Sequence, residues 1–227
     1  LSLHDALPIL RINFFINFNF HKFNKNYLMR IIIILSILFS FSAQSSNDTI
    51  IDANFSRAEV FSGKIIPSKV IKNQRLIKIF YYGFDNKIHQ GQLVCSYLFA
   101  NELKSIFDKL LKDKFPIFSA IPVHKFNWSD SESMKANNTS CFNFRKSQNG
   151  QRSEHARGLA LDINPIQNPY YSKNSKIYPK GASYNINEKG TIVKGSNIIK
   201  YFQKVGWRWG GNWKYSKDYQ HFSSNGR

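Results

Sequence analysis

Apolar residues recur at three- and four-residue steps in two segments of the chain, and each segment is bounded by residues that start or stop a helix. The first covers residues 96–112, and Pro116 prevents a helix from continuing beyond it. The second begins at Ser196, a residue type that caps helix N-termini, and Gly206 stands at its stop position. The apolar stripes of these predicted helices consist of Phe99, Leu103, Ile106, Phe107, Leu110 and Leu111 in the first and Ile198, Ile199, Phe202 and Val205 in the second.

Three shorter segments have the composition or the alternation of β-strands. Leu76–Tyr82 is a β-prone run closed by Gly83, and residues 117–123 predict a short strand that ends near Pro122. Residues 159–163 alternate between the two faces as a strand does. The pattern therefore predicts a mixed α+β domain.

Two long polar stretches separate these elements, at residues 127–151 and 164–194. Both are rich in Ser, Asn, Gly and Lys and poor in apolar residues. Long loops in compact domains commonly carry function, so we expect the chemistry to lie beside them.

The N-terminal region has the features of non-native sequence followed by an export signal. Residues 1–9, LSLHDALPI, resemble a translated sequencing adapter, and residues 1–28 are expected to be non-native or upstream sequence. From Met29 the chain has one Arg, an apolar run over residues 31–41 and then small polar residues, which is typical of a signal peptide ending at residue 45. The mature chain is expected to begin between Ala43 and Ser46 and to be exported to the periplasm, the cell wall or the extracellular space. An uncleaved anchor is the alternative, although the run is short for a bilayer span.

Composition narrows the class of protein. The chain has 227 residues, 42% of them hydrophobic, which is enough for one domain with a real core. Its formal charge is +18, and without residues 1–45 it keeps 28 Lys and Arg against 13 Asp and Glu, a charge of +15. We expect anionic cell-wall polymers rather than nucleic acid as partners, and no stable membrane span after processing. Two cysteines exclude a cysteine-cage zinc finger and a disulfide-dense mini-protein.

Two segments concentrate His and Asp: residues 153–164 and 217–222. In the first, Gly158 permits a turn that brings His155 and Asp162 towards one point. In the second, Asp218 and His221 are three residues apart, so the segment must be turned or bulged for both to act together. Two His and one Asp suit a catalytic Zn²⁺ site with an open position, and Asp218 is then the spare carboxylate that serves as base. The alternative is that these are ordinary surface groups.

The same residues carry a family resemblance. SEHARGLALDINPIQNPYY, residues 153–171, resembles the S-x-H-x-x-G-x-A-x-D motif of the M15 peptidoglycan metallopeptidases. SMKANNTSCFNFR, residues 133–145, and VGWRWGGNWKYSKDYQHF, residues 205–222, resemble two further stretches of that family in the family's order. The resemblance runs from about Gly91 to the C-terminus. It implies a peptidase core at 91–227 with an N-terminal extension at 46–90, in a single small α+β domain with an antiparallel sheet flanked by helices, a Hedgehog/D-Ala-D-Ala peptidase-like fold.

The resemblance also implies roles for individual residues. His155, Asp162 and His221 would bind zinc, Asp218 would be the general base, Arg145 would hold the substrate and stabilise the oxyanion, and Ser153 would bind substrate. Three tryptophans, at 207, 209 and 213, are expected to pack in the core and loops, and one of them to wall the groove. Both cysteines, Cys95 and Cys141, fall in segments that the resemblance places around one core. A disulfide is expected there, with two buried thiols as the alternative.

The implied activity is hydrolysis of amide bonds in peptidoglycan stem peptides by an exported zinc peptidase. The ending D-x-x-H, residues 218–221, favours an L-Ala-D-Glu endopeptidase over a D-Ala-D-Ala carboxypeptidase. The rival from another class is a catalytically idle cell-wall-binding module of the same fold, since the fold alone does not establish catalysis.

Overall fold

The structure, a computed structural model, describes residues 49–145 and 152–226. The expected signal peptide at 29–45 and the expected non-native residues 1–28 lie outside the described residues. Among the helices that are described, none has both the length and the apolar character needed to cross a membrane.

Helices and strands alternate along the described chain. The helices are α1 (Arg57–Val60), α2 (Ser68–Lys72), α3 (Ala100–Lys112), α4 (Asp130–Lys135) and α5 (Asn197–Lys204). The strands are β1 (Ile50–Ile51), β2 (Gln74–Tyr82), β3 (Ile88–Ser96), β4 (Ala160–Asp162), β5 (Tyr170–Tyr171), β6 (Ile177–Tyr178), β7 (Arg208–Trp209), β8 (Lys217–Asp218) and β9 (His221–Ser223).

The described strands form three small sheets, in the orders β1-β3-β2, β4-β9-β7 and β6-β5-β8. Neighbouring strands are antiparallel except for β1 and β3, which run parallel. The α+β class is confirmed, with the strands divided among three sheets.

The main core lies between the long β2–β3 hairpin, helices α3 and α5, and the β4–β9 pair. Its fully buried side chains include Phe107 of α3, Phe202 of α5 and Phe222 of β9. Phe202 stacks on Phe222 with ring centroids 4.0 Å apart. The core therefore fixes the strand pair that carries two of the candidate ligands.

Both predicted helices are confirmed. Helix α3 follows a 3₁₀ turn at Tyr97–Phe99 and ends at Lys112, four residues before the proline that was expected to stop it. Helix α5 has Ser196 as its N-cap residue, but the serine side chain makes no capping hydrogen bond within the described chain. Gly206 follows the helix with a φ of +81°, a left-handed conformation that favours glycine.

The predicted strand at 117–123 is wrong. Among the described residues, this segment makes one isolated bridge, between Ser119 and Asn138, and Pro116 just before it makes another with Tyr82. Two of its N–H groups donate to side-chain oxygens instead of to a neighbouring strand: Phe118 to Asn164 Oδ1 at 3.0 Å and Ile121 to Asn138 Oδ1 at 2.8 Å. The polar stretches at residues 127–151 and 164–194 are also more regular than expected, because α4 lies in the first and β5 and β6 lie in the second.

A second, smaller core joins the N-terminal part of the domain to the segment before Arg145. It consists of Val60, Ile66, Val94, Trp128 and Phe142. The expected border between an N-terminal extension and the peptidase core, at residues 90 and 91, falls within β3, and β3 contributes side chains to both cores.

The expected disulfide is wrong. Cys95 and Cys141 are both free thiols buried in the main core. The Sγ of Cys141 lies 3.5 Å from the carbonyl oxygen of Gly158. Burial raises the pKa of Cys95 to about 12 and that of Cys141 well above its ordinary value, so both behave as small apolar side chains.

Candidate metal and catalytic site

The β4–β9 ladder places two of the predicted ligands face to face. Asp162 at the end of β4 is paired with His221 at the start of β9. Asp162 Oδ1 lies 2.9 Å from His221 Nδ1. Residues 159–163 were predicted as a strand, and β4 confirms that prediction over Ala160–Asp162.

His155 reaches the same point from a 3₁₀ turn at Glu154–Arg157. The Ser153 hydroxyl accepts a hydrogen bond from the His155 backbone N–H at 3.3 Å and so begins the turn. Gly158 ends the turn with a φ of +69°. A Cβ at Gly158 would lie 2.5 Å from the Ser96 nitrogen, so the turn can pack against β3 only because the residue is glycine.

The ring nitrogens of His155 are assigned by their surroundings. Nδ1 lies 2.7 Å from the carbonyl oxygen of Cys141, and since a carbonyl only accepts, Nδ1 carries the proton. Nε2 therefore presents its lone pair to the centre of the site, 3.2 Å from Asp162 Oδ2 and 3.3 Å from His221 Nδ1. A metal-ligating histidine is commonly oriented by such a hydrogen bond from its other nitrogen.

The three residues fit a metal ion. His155, Asp162 and His221 are all buried, and one ligand atom from each lies within 4.8 Å of the others. Burial opposes ionisation of Asp162, but the charges and hydrogen bonds of the two histidines hold its pKa well below its ordinary value. An ionised carboxylate with two imidazole nitrogens is a donor set that Zn²⁺ accepts.

Asp218 lies beside this cluster but is not one of its three members. It ends β8, opposite Tyr170 of β5, and a bend at residues 219–220 separates it from β9, which confirms that the segment is turned. Its Oδ1 is enclosed and has no hydrogen-bond partner in the described chain. Burial of the carboxyl group raises the pKa of Asp218 to about 7; His221 opposes the shift and Asp162 adds to it.

Gly210 of the WGG motif allows close packing against the backbone of Asp218. A Cβ at Gly210 would lie 2.7 Å from the Asp218 carbonyl oxygen and 3.3 Å from the His221 Cβ. Trp209 is buried, and its Nε1 donates to the Tyr219 carbonyl at 2.8 Å. Trp213 is half-buried, with its ring 5.5 Å from that of His221, so it forms part of the wall of the site.

Arg145 is held by a residue that the sequence analysis did not identify. Its Nη2 lies 3.0 Å from Asp130 Oδ2, and the Asn143 side chain donates to the other oxygen of Asp130 at 3.3 Å. The charge of Asp130 also contributes to raising the pKa of Asp218, which places the Arg145–Asp130 pair near that carboxyl group. Asp130 stands in no quoted motif, and its pairing depends on long-range packing, so no local signal identified it.

The structure thus brings His155, Asp162 and His221 together, with Asp218 beside them and Arg145 close by. The visible contact of Ser153 is the hydrogen bond to the His155 backbone, and its expected contact with substrate stays a prediction.

Residues 146–224 match the sequence model of a peptidase M15 family that is described as D-alanyl-D-alanine carboxypeptidase. The matched range contains His155, Asp162, Asp218 and His221, and it begins one residue after Arg145. Searches of curated proteins and of solved structures gave no significant match.

Proposed function

We propose, from the premise that residues 146–224 belong to the M15 peptidase family, that the chain is an exported zinc peptidase that hydrolyses amide bonds in peptidoglycan stem peptides. The observation that carries the proposal is the meeting of three buried candidate ligand side chains beside Asp218, an enclosed carboxyl group whose Oδ1 has no hydrogen-bond partner in the described chain. The two candidate bonds are L-Ala–D-Glu, cut by an endopeptidase, and D-Ala–D-Ala, cut by a carboxypeptidase.

His155 Nε2, an oxygen of Asp162 and His221 Nδ1 would hold the zinc ion. When bound, zinc supplies a Lewis acid that polarises a carbonyl group and makes water more acidic. The Cys141 carbonyl keeps His155 in the tautomer that binds metal, and the β4–β9 ladder keeps the other two ligands in register. Three protein ligands leave room for substrate and water, as catalytic zinc sites require.

Asp218 would act as general base. Its carboxylate accepts a proton from the attacking water as the new C–O bond forms at the scissile carbonyl. The carboxylic acid then returns that proton to the amide nitrogen as the C–N bond breaks, so the products are a free carboxylate and a free amine. The enclosed Asp218 Oδ1 has no hydrogen-bond partner in the described chain, so this oxygen is available to take up and release the proton.

Arg145 would bind the substrate and stabilise negative charge on the carbonyl oxygen, and Ser153 would contact the substrate backbone or a carboxylate. Asp130 occupies one edge of the guanidinium, at Nη2. The remaining N–H groups of a planar guanidinium can still form charge-assisted hydrogen bonds to a substrate.

Export supports the choice of substrate, because the polymer lies outside the cytoplasm. We assign residues 29–45 to a signal peptide, 46–90 to an N-terminal extension and 91–227 to the peptidase core. The +15 charge of the chain after residue 45 would favour contact with anionic wall polymers.

The test is product analysis by mass spectrometry after the full chain, loaded with zinc, is incubated with defined stem peptides. Release of D-Ala from a pentapeptide identifies a carboxypeptidase, and separation of L-Ala from the remaining peptide identifies an endopeptidase. Removal of zinc by a chelator should abolish either product, and added zinc should restore it. Binding of the polymer without any cleavage would support the rival, an idle wall-binding module.

A further inference from the structure

The loop between α1 and α2 brings a lysine, Lys64, against Trp128, two residues before α4 begins. Gly63 reverses the chain with a φ of +72°, and Ile66 anchors the loop in the second core. The Trp128 Nε1 donates to the Ser62 carbonyl at 2.8 Å, which ties the loop to the segment just before α4. The half-buried Lys64 lies with its Nζ 5.5 Å from the centroid of the Trp128 ring.

The residues around Trp128, which Lys64 contacts, also contact Arg145 and the chain just before it. Trp128 packs edge-on against Phe142, with ring centroids 6.1 Å apart, and Phe142 precedes Arg145 by three residues. Two residues after Trp128, Asp130 forms the 3.0 Å ion pair with Arg145. Lys64 and Arg145 therefore contact residues that are two positions apart: Lys64 lies over the Trp128 ring, and Arg145 forms an ion pair with Asp130.

Of the two cations Lys64 and Arg145, only Arg145 has a salt-bridge partner among the described residues. Burial, and then the positive charge of Arg145, lower the pKa of Lys64, so the two cations are within electrostatic reach of each other. Asp130 is the carboxylate paired with Arg145, and Lys64 has no salt-bridge partner among residues 49–145 and 152–226. The Arg145 Nε is buried and has no hydrogen-bond partner in those same ranges. The Lys64 ammonium group and the Arg145 Nε–H, which has no hydrogen-bond partner in the described chain, therefore suit a further anion.

We propose that Lys64 is a specificity-determining residue, which together with Arg145 binds a carboxylate of the substrate next to the scissile bond. The inference rests on the proposed function and adds that the preferred substrate is a stem peptide whose carboxylate is free rather than amidated. Asp130 is the positioning residue of this subsite, since it fixes one edge of the guanidinium and leaves the other N–H groups for the ligand. The α1–α2 loop that supplies Lys64 lies outside the matched family segment, so this contact is a property of the chain's N-terminal part.

The test uses two stem peptides that differ only in one group, a free carboxylate or the corresponding primary amide, and the variant Lys64→Gln. Hydrogen bonds to charged groups contribute enough for the variant to lose about 10- to 100-fold in kcat/KM on the carboxylate peptide. On the amide peptide its kcat/KM should stay within about twofold of the parent. Lys64→Arg, which keeps the charge, should recover most of the loss, and Lys69→Gln, at an exposed lysine on the neighbouring α2, serves as the matched control.

A binding measurement separates this inference from the proposed function. Calorimetry with the uncleaved peptides in an Asp218→Asn background should show Lys64→Gln weakening the carboxylate peptide and sparing the amide, whether or not the parent cleaves either peptide. Failure of the parent to cleave any stem peptide would overturn the proposed function alone. Equal effects of Lys64→Gln on both peptides, or no effect on either, in a variant whose thermal unfolding matches the parent, would overturn the inference.

Discussion

Replacing Asp218 by asparagine tests the assignment of the general base. The amide nearly matches the carboxyl group in shape but cannot accept the proton from water, so turnover should fall by about 10²- to 10⁴-fold. Asp218 is not one of the three clustered ligands, and bound zinc should therefore stay near one per chain. Zinc is measured by atomic emission on dialysed protein, beside turnover on the stem peptide that the parent cleaves.

Asp218→Asn should raise the free energy of unfolding of the metal-free protein at high pH, although it lowers the activity. In the metal-free protein the pKa of Asp218 is about 7, against 3.8 for an ordinary aspartate. Between those values the folded state holds the proton more tightly than the unfolded state, so this group lowers the stability as pH rises through that window. The difference in pKa corresponds to at most about 4 kcal/mol above pH 7. Asparagine carries no charge, so the metal-free variant should be more stable than the parent at pH 8 and about equal near pH 4.

Urea unfolding of the two metal-free proteins across that range measures the difference. Asp162 has the opposite linkage, because its lowered pKa makes its contribution disappear as the pH falls below the ordinary aspartate range, at the lower edge of the pH range compared. Asp108→Asn, at an exposed position on α3, is the control and should show no such difference in stability between high and low pH.

Full activity in Asp218→Asn would refute the assignment of Asp218 as the general base. Loss of zinc on dialysis would instead make Asp218 a residue that orients a ligand, whose removal lowers metal affinity about 10- to 100-fold.

Four further outcomes are expected. His221→Ala should lose zinc on dialysis as well as activity, because it removes one of three ligands; full zinc occupancy would exclude it from the ligand set. Arg145→Lys should keep its zinc but lose much of kcat/KM, since an ammonium group cannot reproduce the planar fork; an unchanged rate would make Arg145 a surface residue. Gly158→Ala should lower the unfolding free energy by about 2–4 kcal/mol in chemical denaturation, because its Cβ would lie 2.9 Å from the backbone carbonyl carbon of Cys95 at a positive φ. Ellman's reagent should find two thiols per chain in unreduced, denatured protein and almost none in native protein; their absence after denaturation would mean that Cys95 and Cys141 are bridged.

Local patterns in the sequence predict the helices because each helix buries a single stripe. Leu103, Ile106 and Phe107 are buried as the spacing requires, and α3 ends at Lys112 ahead of the proline. The segment at 117–123 fails because its extended backbone is held by the side chains of Asn138 and Asn164. Their positions depend on contacts 17 and 46 residues away, which no local pattern records.

In the candidate site, too, some residues can be predicted from local sequence motifs and others depend on long-range packing. The candidate ligands His155, Asp162 and His221 and the proposed base Asp218 lie in motifs that carry the family resemblance. The structure clusters the three candidate ligands, with Asp218 beside them. The sequence does not identify Asp130 or Lys64, because their positions near Arg145 depend on packing in the second core and on the course of the α1–α2 loop. A lone aspartate at the start of a helix and a lone lysine after a glycine carry no signal in the sequence by themselves.

The pairing of Asp162 with His221 across the β4–β9 ladder has a consequence for how such a protein can evolve. These two candidate ligands are 59 residues apart in sequence, yet their separation in space is set by one step of backbone pairing. Insertions or deletions in the intervening stretch can change the walls of the groove without altering the distance between the ligands. Changes of substrate can therefore accumulate in residues 164–216 while metal affinity is conserved. A one-residue slip of β9, by contrast, would turn His221 to the opposite face and abolish the site in a single event.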